Sequence, residues 1–227
     1  MGEEPSVNEE EWVDASRAYL HRSVNALCEQ GITQFLDIGP GLLSGPESVH
    51  ETARKHDPGA CVAYVDIDPD AVARGRTLLA DDAAAAIVLG DVADPHEILT
   101  NPSVRGVIEF SRPVGVLLLG ALQFVADQKR AAAIVVRLAE SVPAGSYFLV
   151  SHFVAGANGN QGAADSARSA PGQAVSRSAE QLSAIMAGLE LIRPGIVYPL
   201  RWRPESQDYG DRDPAQDDLM AGLWRRP

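Results

Sequence analysis

The chain has 227 residues, 45% of them apolar and 22% charged, the balance of a globular protein with one substantial core. Its net charge is −12 and its only lysines are Lys55 and Lys129, which argues against a phosphate backbone as a main partner, because that needs clustered basic side chains. No apolar run reaches the roughly 18 residues of a membrane span, and the acidic, polar opening MGEEPSVNEEEW is not expected to act as a secretory or mitochondrial signal. The expected setting is therefore cytoplasmic, with neither membrane nor nucleic acid as partner.

Residues 9–30 carry Trp12, Ser16, Tyr19, Leu20, Val24 and Leu27 at helical spacing, and Gly31 stops that helix. A short strand is expected at 34–38 and a helix at 47–56. CVAYVDID, 61–68, reads as a second strand, and Pro69 opens the next helix at an allowed first-turn position. AAIVLGDV, 85–92, is a third strand, and Pro95 starts a short helix. VGVLLLGAL, 114–122, is apolar almost throughout, as a central strand buried on both faces is. Residues 127–142 form a strong helical pattern and 146–153 a fifth strand.

Alternating strands and helices predict a parallel sheet covered on both sides. The alternation stops after Phe153. Residues 154–178 are small and polar without an apolar period, so a lid over a site or a passive insertion is expected there. A helix at 179–188, two extended pieces around Pro194-Gly195, a polar acidic stretch at 204–217 and a last strand in LMAGLWRRP complete the chain. One domain is expected: an N-terminal helical segment 1–31, a cofactor-binding core 32–153, the loop 154–178 and a C-terminal part 179–227.

Cys28 and Cys61 have no metal-ligand spacing and read as small buried apolar residues. The five histidines form no H-x-x-x-H or H-x-H pair, so no metal site is expected.

The informative stretch is QFLDIGPGLLSGP, 34–46. A buried strand ends on an acid and the chain then turns on glycines, as it does where a ligand approaches backbone at a strand's carboxyl end. Asp66 ends the second strand and Asp91 the third, so three consecutive strands end on aspartate: Asp37, Asp66, Asp91. Each alone has a plain reading as a cap or a turn. Together they disfavour a pyrophosphate dinucleotide, which three carboxylates would repel. They suit S-adenosylmethionine, which offers a sulfonium, an ammonium, two ribose hydroxyls and an adenine amine. The glycine spacing also departs from G-x-G-x-x-G, with the third glycine at 45. A P-loop, a G-x-S-x-G elbow and a tyrosine followed four residues later by lysine are all missing.

The series QFLDIGPGL, VHE at 49–51, YVDIDP, ILTNP, LLLGALQFV, VSHF at 150–153, LELIRPGIV and RWRP resembles the actinobacterial S-adenosylmethionine-dependent methyltransferase family formerly classed as a domain of unknown function. The resemblance covers about residues 15–204. It implies a Rossmann-like doubly wound α/β sheet of seven strands with the last antiparallel, a class I methyltransferase, and S-adenosyl-L-methionine as cofactor.

Cofactor contacts are expected from Asp37, Gly39, Pro40, Gly41, Asp66, Ile67, Asp91, Val92 and Gly120. His152, the one histidine at a strand's carboxyl end, is the expected base, and Gln123 is expected to orient a small-molecule substrate. Phe124 is expected in the core rather than beside the cofactor. The resemblance leads one to expect three things this sequence does not show: an upstream segment with paired tyrosines and a Gly-Gly-Lys-x-Asn run, which resembles a lid over the cofactor, a histidine where Gln123 stands, and a helix after His152, where the stretch is rich in glycine, alanine and serine. These departures leave open a non-catalytic cofactor-binding or interaction protein. A nicotinamide dehydrogenase is a third reading.

Overall fold

A computed structural model of the chain describes residues 9–41, 43, 48–154, 174–203 and 219–227. The elements in chain order are α1 (Glu9–Glu29), β1 (Gln34–Ile38), α2 (Val49–Arg54), β2 (Cys61–Asp66), α3 (Pro69–Leu78), β3 (Ala85–Leu89), α4 (Pro95–Thr100), α5 (Pro102–Val107), β4 (Gly115–Leu119), α6 (Gln128–Ser141), β5 (Tyr147–Phe153), α7 (Ala179–Ile185), β6 (Glu190–Leu191) and β7 (Leu219–Arg225). Short 3-10 turns lie at Leu122–Phe124 and Pro199–Arg201.

The strands form one seven-stranded sheet in the order β3-β2-β1-β4-β5-β7-β6. β1 pairs in parallel with both β2 and β4, β2 with β3, and β4 with β5. β7 runs antiparallel between β5 and β6. This is the expected doubly wound sheet with its last strand reversed. The chain winds outward from β1 through β2 to β3, then returns to β4 on the other side of β1. That reversal opens a crevice between the carboxyl ends of β1 and β4, where ligands bind in such sheets.

The strands are apolar on both faces because helices cover both. One face packs Leu36, Ile38, Val65, Val116, Leu118, Phe148 and Val150 against α4–α7. The other packs Phe35, Tyr64, Leu117 and Leu149 against α1 and α2, with Tyr19 and Trp202. Tyr19 meets Trp202 edge-on at 5.5 Å, and its hydroxyl donates to the Gly222 carbonyl at 2.6 Å, so α1 is fastened to β7.

Helix starts follow side-chain capping. Ser48 caps α2 and Ser178 caps α7 in reciprocal capping boxes, while Asp68, Asp94 and Asp127 cap α3, α4 and α6. α5 was not expected. Asn101 ends α4 and caps α5, so two short helices replace one. The second and third strands are shorter than expected, because Ile67–Asp68 and Gly90–Val92 lie past the strand ends. The extended pair around Pro194-Gly195 is slight: β6 has two residues, and Val197 adds one bridge to Ala221. Cys28 and Cys61 are free thiols and only half-buried, contrary to expectation. No described helix is long and apolar enough to cross a membrane.

Candidate cofactor site

A cavity of about 370 Å3 opens at the carboxyl ends of β1, β2, β3 and β4, within the size range of small-ligand sites. Its lining brings together Gly39, Gly41, Asp66, Ile67, Asp91, Val92 and Gly120, which are seven of the nine expected cofactor residues. Pro40 and Asp37 do not line it. Pro40 sits between the two turn glycines, and Asp37 is buried at the end of β1, in register beside Tyr64.

The turn after β1 is built from backbone that other residues rarely adopt. Gly39 has φ 83° and Gly41 φ 65°, both in the left-handed region. A Cβ on Gly41 would point into open space, so backbone is exposed to whatever enters. Asp66 holds this turn. One of its carboxylate oxygens accepts the Gly41 amide at 2.9 Å and the other accepts the Asp68 amide at 2.9 Å. Each oxygen keeps acceptor capacity for a ligand hydroxyl. One Asp91 oxygen accepts the Ala93 amide at 2.8 Å, while the helix cap before Pro95 falls to Asp94.

Burial pushes the Asp37 carboxyl up to about 7, and the nearby Asp66 charge adds to the rise. A carboxyl with a raised pKa therefore lies behind the cavity wall. A cation brought close to Asp37 would favour its charged form.

Several lining residues were not expected: Ile38, Val65, Asp68, Gly90, Ala121 and Phe124. Most are chain neighbours of expected ones, and Asp68 was legible as the acid before Pro69. Phe124 is a correction. It is 38% exposed and forms a cavity wall rather than core, because the 3-10 turn after β4 rotates it outward while Leu122 and Gln123 turn inward.

His152, the expected base, lies apart from the cavity. It is fully buried and does not line the cavity. Its Nδ1–H donates to the Phe153 carbonyl at 3.0 Å, and its Nε2 accepts from Arg177 Nη1 at 2.6 Å. Burial, with the Arg177 charge adding to it, pushes its pKa down to about 4. With both nitrogens engaged, the ring is poorly placed to take a substrate proton.

Gln123 is 6% exposed and packs beside Gly120, and its buried Oε1 has no hydrogen-bond partner among the described residues. Gly45 and residues 155–173, the body of the expected lid, lie outside the described residues.

The sequence model of a family described as S-adenosyl methyltransferase matches residues 3–227. The chain is 36% identical to a candidate methyltransferase from Thermobifida fusca, with a TM-score of 0.88, over 98% of this chain and 83% of that one. It is 32% identical to a DUF574 family protein from Streptomyces avermitilis, with a TM-score of 0.84, over 94% of this chain and 83% of that one. The N-methyltransferase NodS from Bradyrhizobium japonicum, solved with S-adenosyl-L-homocysteine, shares the fold at a TM-score of 0.53 and 10% identity, over 91% of this chain and 85% of that one. No curated protein matches.

Proposed function

The chain belongs to the S-adenosyl methyltransferase family, and on that premise we propose that it methylates a small molecule held beside Phe124 and Gln123. It is an S-adenosylmethionine-dependent methyltransferase by family; the acceptor and the roles of individual residues are this reading's own. The observation that carries the reading is the charge of the cavity. Its described lining has three carboxylates, Asp66, Asp68 and Asp91, and no lysine, arginine or histidine. Such a rim repels phosphates and accepts from hydroxyls, amines and cations.

In this reading Asp66 accepts the ribose hydroxyls and Asp91 the adenine amine, with the Val92 amide beside it. The exposed backbone at Gly39 and Gly41 lies against the amino-acid end, and Asp37 becomes charged when a cation is brought near. Ile67, Val92 and Phe124 supply apolar walls. S-adenosylmethionine supplies an electrophilic methyl group on a sulfonium. This chain then has to align a nucleophile with that methyl and exclude water, and such alignment can remove roughly 7–11 kcal/mol of a barrier. The Gln123 Oε1, unpartnered among the described residues, serves as acceptor for a substrate N–H or O–H, which orients the nucleophile without removing its proton.

The test has two stages. Calorimetry with S-adenosylhomocysteine reads the cofactor site. Incubation with methyl-labelled cofactor and a fractionated cell extract then reads the acceptor. Label in the small-molecule fraction is expected. Label confined to protein or nucleic acid would overturn the substrate class, and binding without any transfer would favour a non-catalytic cofactor-binding protein.

A further inference from the structure

Arg177 lies outside the cavity, yet it holds one of the cavity's walls. It is 3% exposed, and among the described residues no carboxylate accepts from it. Burying a guanidinium is costly unless every N–H finds an acceptor. Here all five do. Nε donates to Gln128 Oε1 at 3.0 Å. Nη1 donates to the Leu122 carbonyl at 3.0 Å and to His152 Nε2. Nη2 donates to the carbonyls of Val125 and Ala126. A lysine has three donors and no planar fork, so it cannot reproduce this set.

Three of these acceptors belong to the turn that follows β4. Gly120, Ala121 and Phe124 of that turn line the cavity, and Gln123 lies between them. The neighbouring backbone joins in: Val175 N–H donates to the Gln123 carbonyl at 2.8 Å, and Arg177 N–H to the Phe153 carbonyl at 3.0 Å. Val154 and Arg177 also form a parallel bridge, so this short segment prolongs the sheet beyond β5. Within the turn itself the backbone bonds are long, Phe124 to Ala121 at 3.3 Å and Val125 to Leu122 at 3.2 Å. Much of the turn's hydrogen bonding therefore comes from the segment 174–178.

We propose that Arg177 is a positioning residue for the methyltransferase site: its guanidinium, seated on His152, fixes the Gly120–Ala126 turn and with it the Phe124 wall and Gln123. His152 is the neutral acceptor that completes the seat. Burial disfavours the charged guanidinium, and the charge of Asp127, at the start of α6, offsets part of that. The functional consequence rests on the reading of the cavity as the cofactor site.

The test uses the full chain and three variants: Arg177→Lys, His152→Leu and His152→Gln. Two measurements are made at neutral pH, hydrogen exchange across residues 120–126 and calorimetric affinity for S-adenosylhomocysteine. In Arg177→Lys and His152→Leu the turn amides exchange faster while β4 stays protected, and affinity drops at least about tenfold. His152→Gln restores an acceptor and returns both readouts close to the parent, which a role in general packing would not produce. A folded Arg177→Lys with parental exchange and affinity overturns the proposal, and so does His152→Gln behaving like His152→Leu. If Arg177→Lys does not fold, the two His152 variants decide by the same criteria. A parent chain that fails to bind S-adenosylhomocysteine would sink the cofactor reading instead, while turn exchange would still report on Arg177.

Discussion

At the scale of single residues, Asp66 and Asp37 do opposite things with the same side chain. Asp66 orders the glycine turn and faces the cavity, so Asp66→Ala removes a charged acceptor and loosens Gly41 together. A hydrogen bond to a charged group contributes roughly 1.5–3 kcal/mol, and affinity for S-adenosylhomocysteine is expected to fall at least about tenfold in a variant that still melts cooperatively. Unchanged affinity in calorimetry would remove Asp66 from the site. Asp37 is buried and protonates near neutrality. Between pH 3.8 and about 7 the native chain keeps a proton that the unfolded chain releases, so its contribution to stability falls as pH rises through that window. Asp37→Asn cannot ionise. It is expected to match the parent near pH 4 and to be more stable above pH 7, by on the order of 2–4 kcal/mol, while binding the cationic cofactor more weakly. Urea midpoints at the two pH values check this, and an equal gap at both would contradict it. The acids at the strand ends were legible in the sequence because each closes an apolar run. The seat of His152 was not, because its partner Arg177 lies 25 residues on, beyond a stretch without pattern.

At the scale of elements, the alternation of apolar runs and helical patterns located β1 to β5, α3 and α6, because strands buried on both faces leave continuous apolar stretches. It failed where side chains rather than periodicity decide. Asn101 splits α4 from α5 by capping, and the Arg22 guanidinium fastens α1 to the 3-10 turn near Trp202, donating to the carbonyls of Pro199 and Trp202 at 2.7 and 2.9 Å. Gln34 is a further case. It reads as a polar start to β1 yet is 4% exposed. Its amide nitrogen donates to the carbonyls of Glu109 and Arg112 at 2.8 and 3.0 Å, and its oxygen accepts the Glu109 amide at 3.0 Å. This one side chain ties the amino end of β1 to the loop that enters β4, at the end of the sheet opposite the site. Gln34→Leu keeps similar bulk but strands those backbone groups. Leaving buried polar groups unpaired costs about 1–3 kcal/mol each, so a drop of about 2–4 kcal/mol in denaturant unfolding is expected. A loss within experimental error would show that the loop finds other partners.

At the scale of the whole molecule, two buried titrations oppose each other. His152 resists protonation down to about pH 4 while an unfolded histidine takes a proton near 6.5, so its contribution to stability is lost as pH falls through that window. Asp37 gains over the same range. Melting temperature in His152→Gln is therefore expected to hold up better than the parent's between pH 6.5 and 5, and a parallel pair of curves would contradict the burial of His152. The seven-stranded order was legible only through family resemblance, since no local pattern reveals that β7 inserts between β5 and β6. That insertion bears on how the chain is made. β5 leaves the ribosome well before β7, and all seven of its residues pair with β7. Until β7 arrives, the nascent chain carries the open apolar edge Phe148–Phe153, a template for pairing with neighbouring chains. Slower synthesis lengthens that exposure, so the yield of folded protein should depend on how quickly the last strand is delivered.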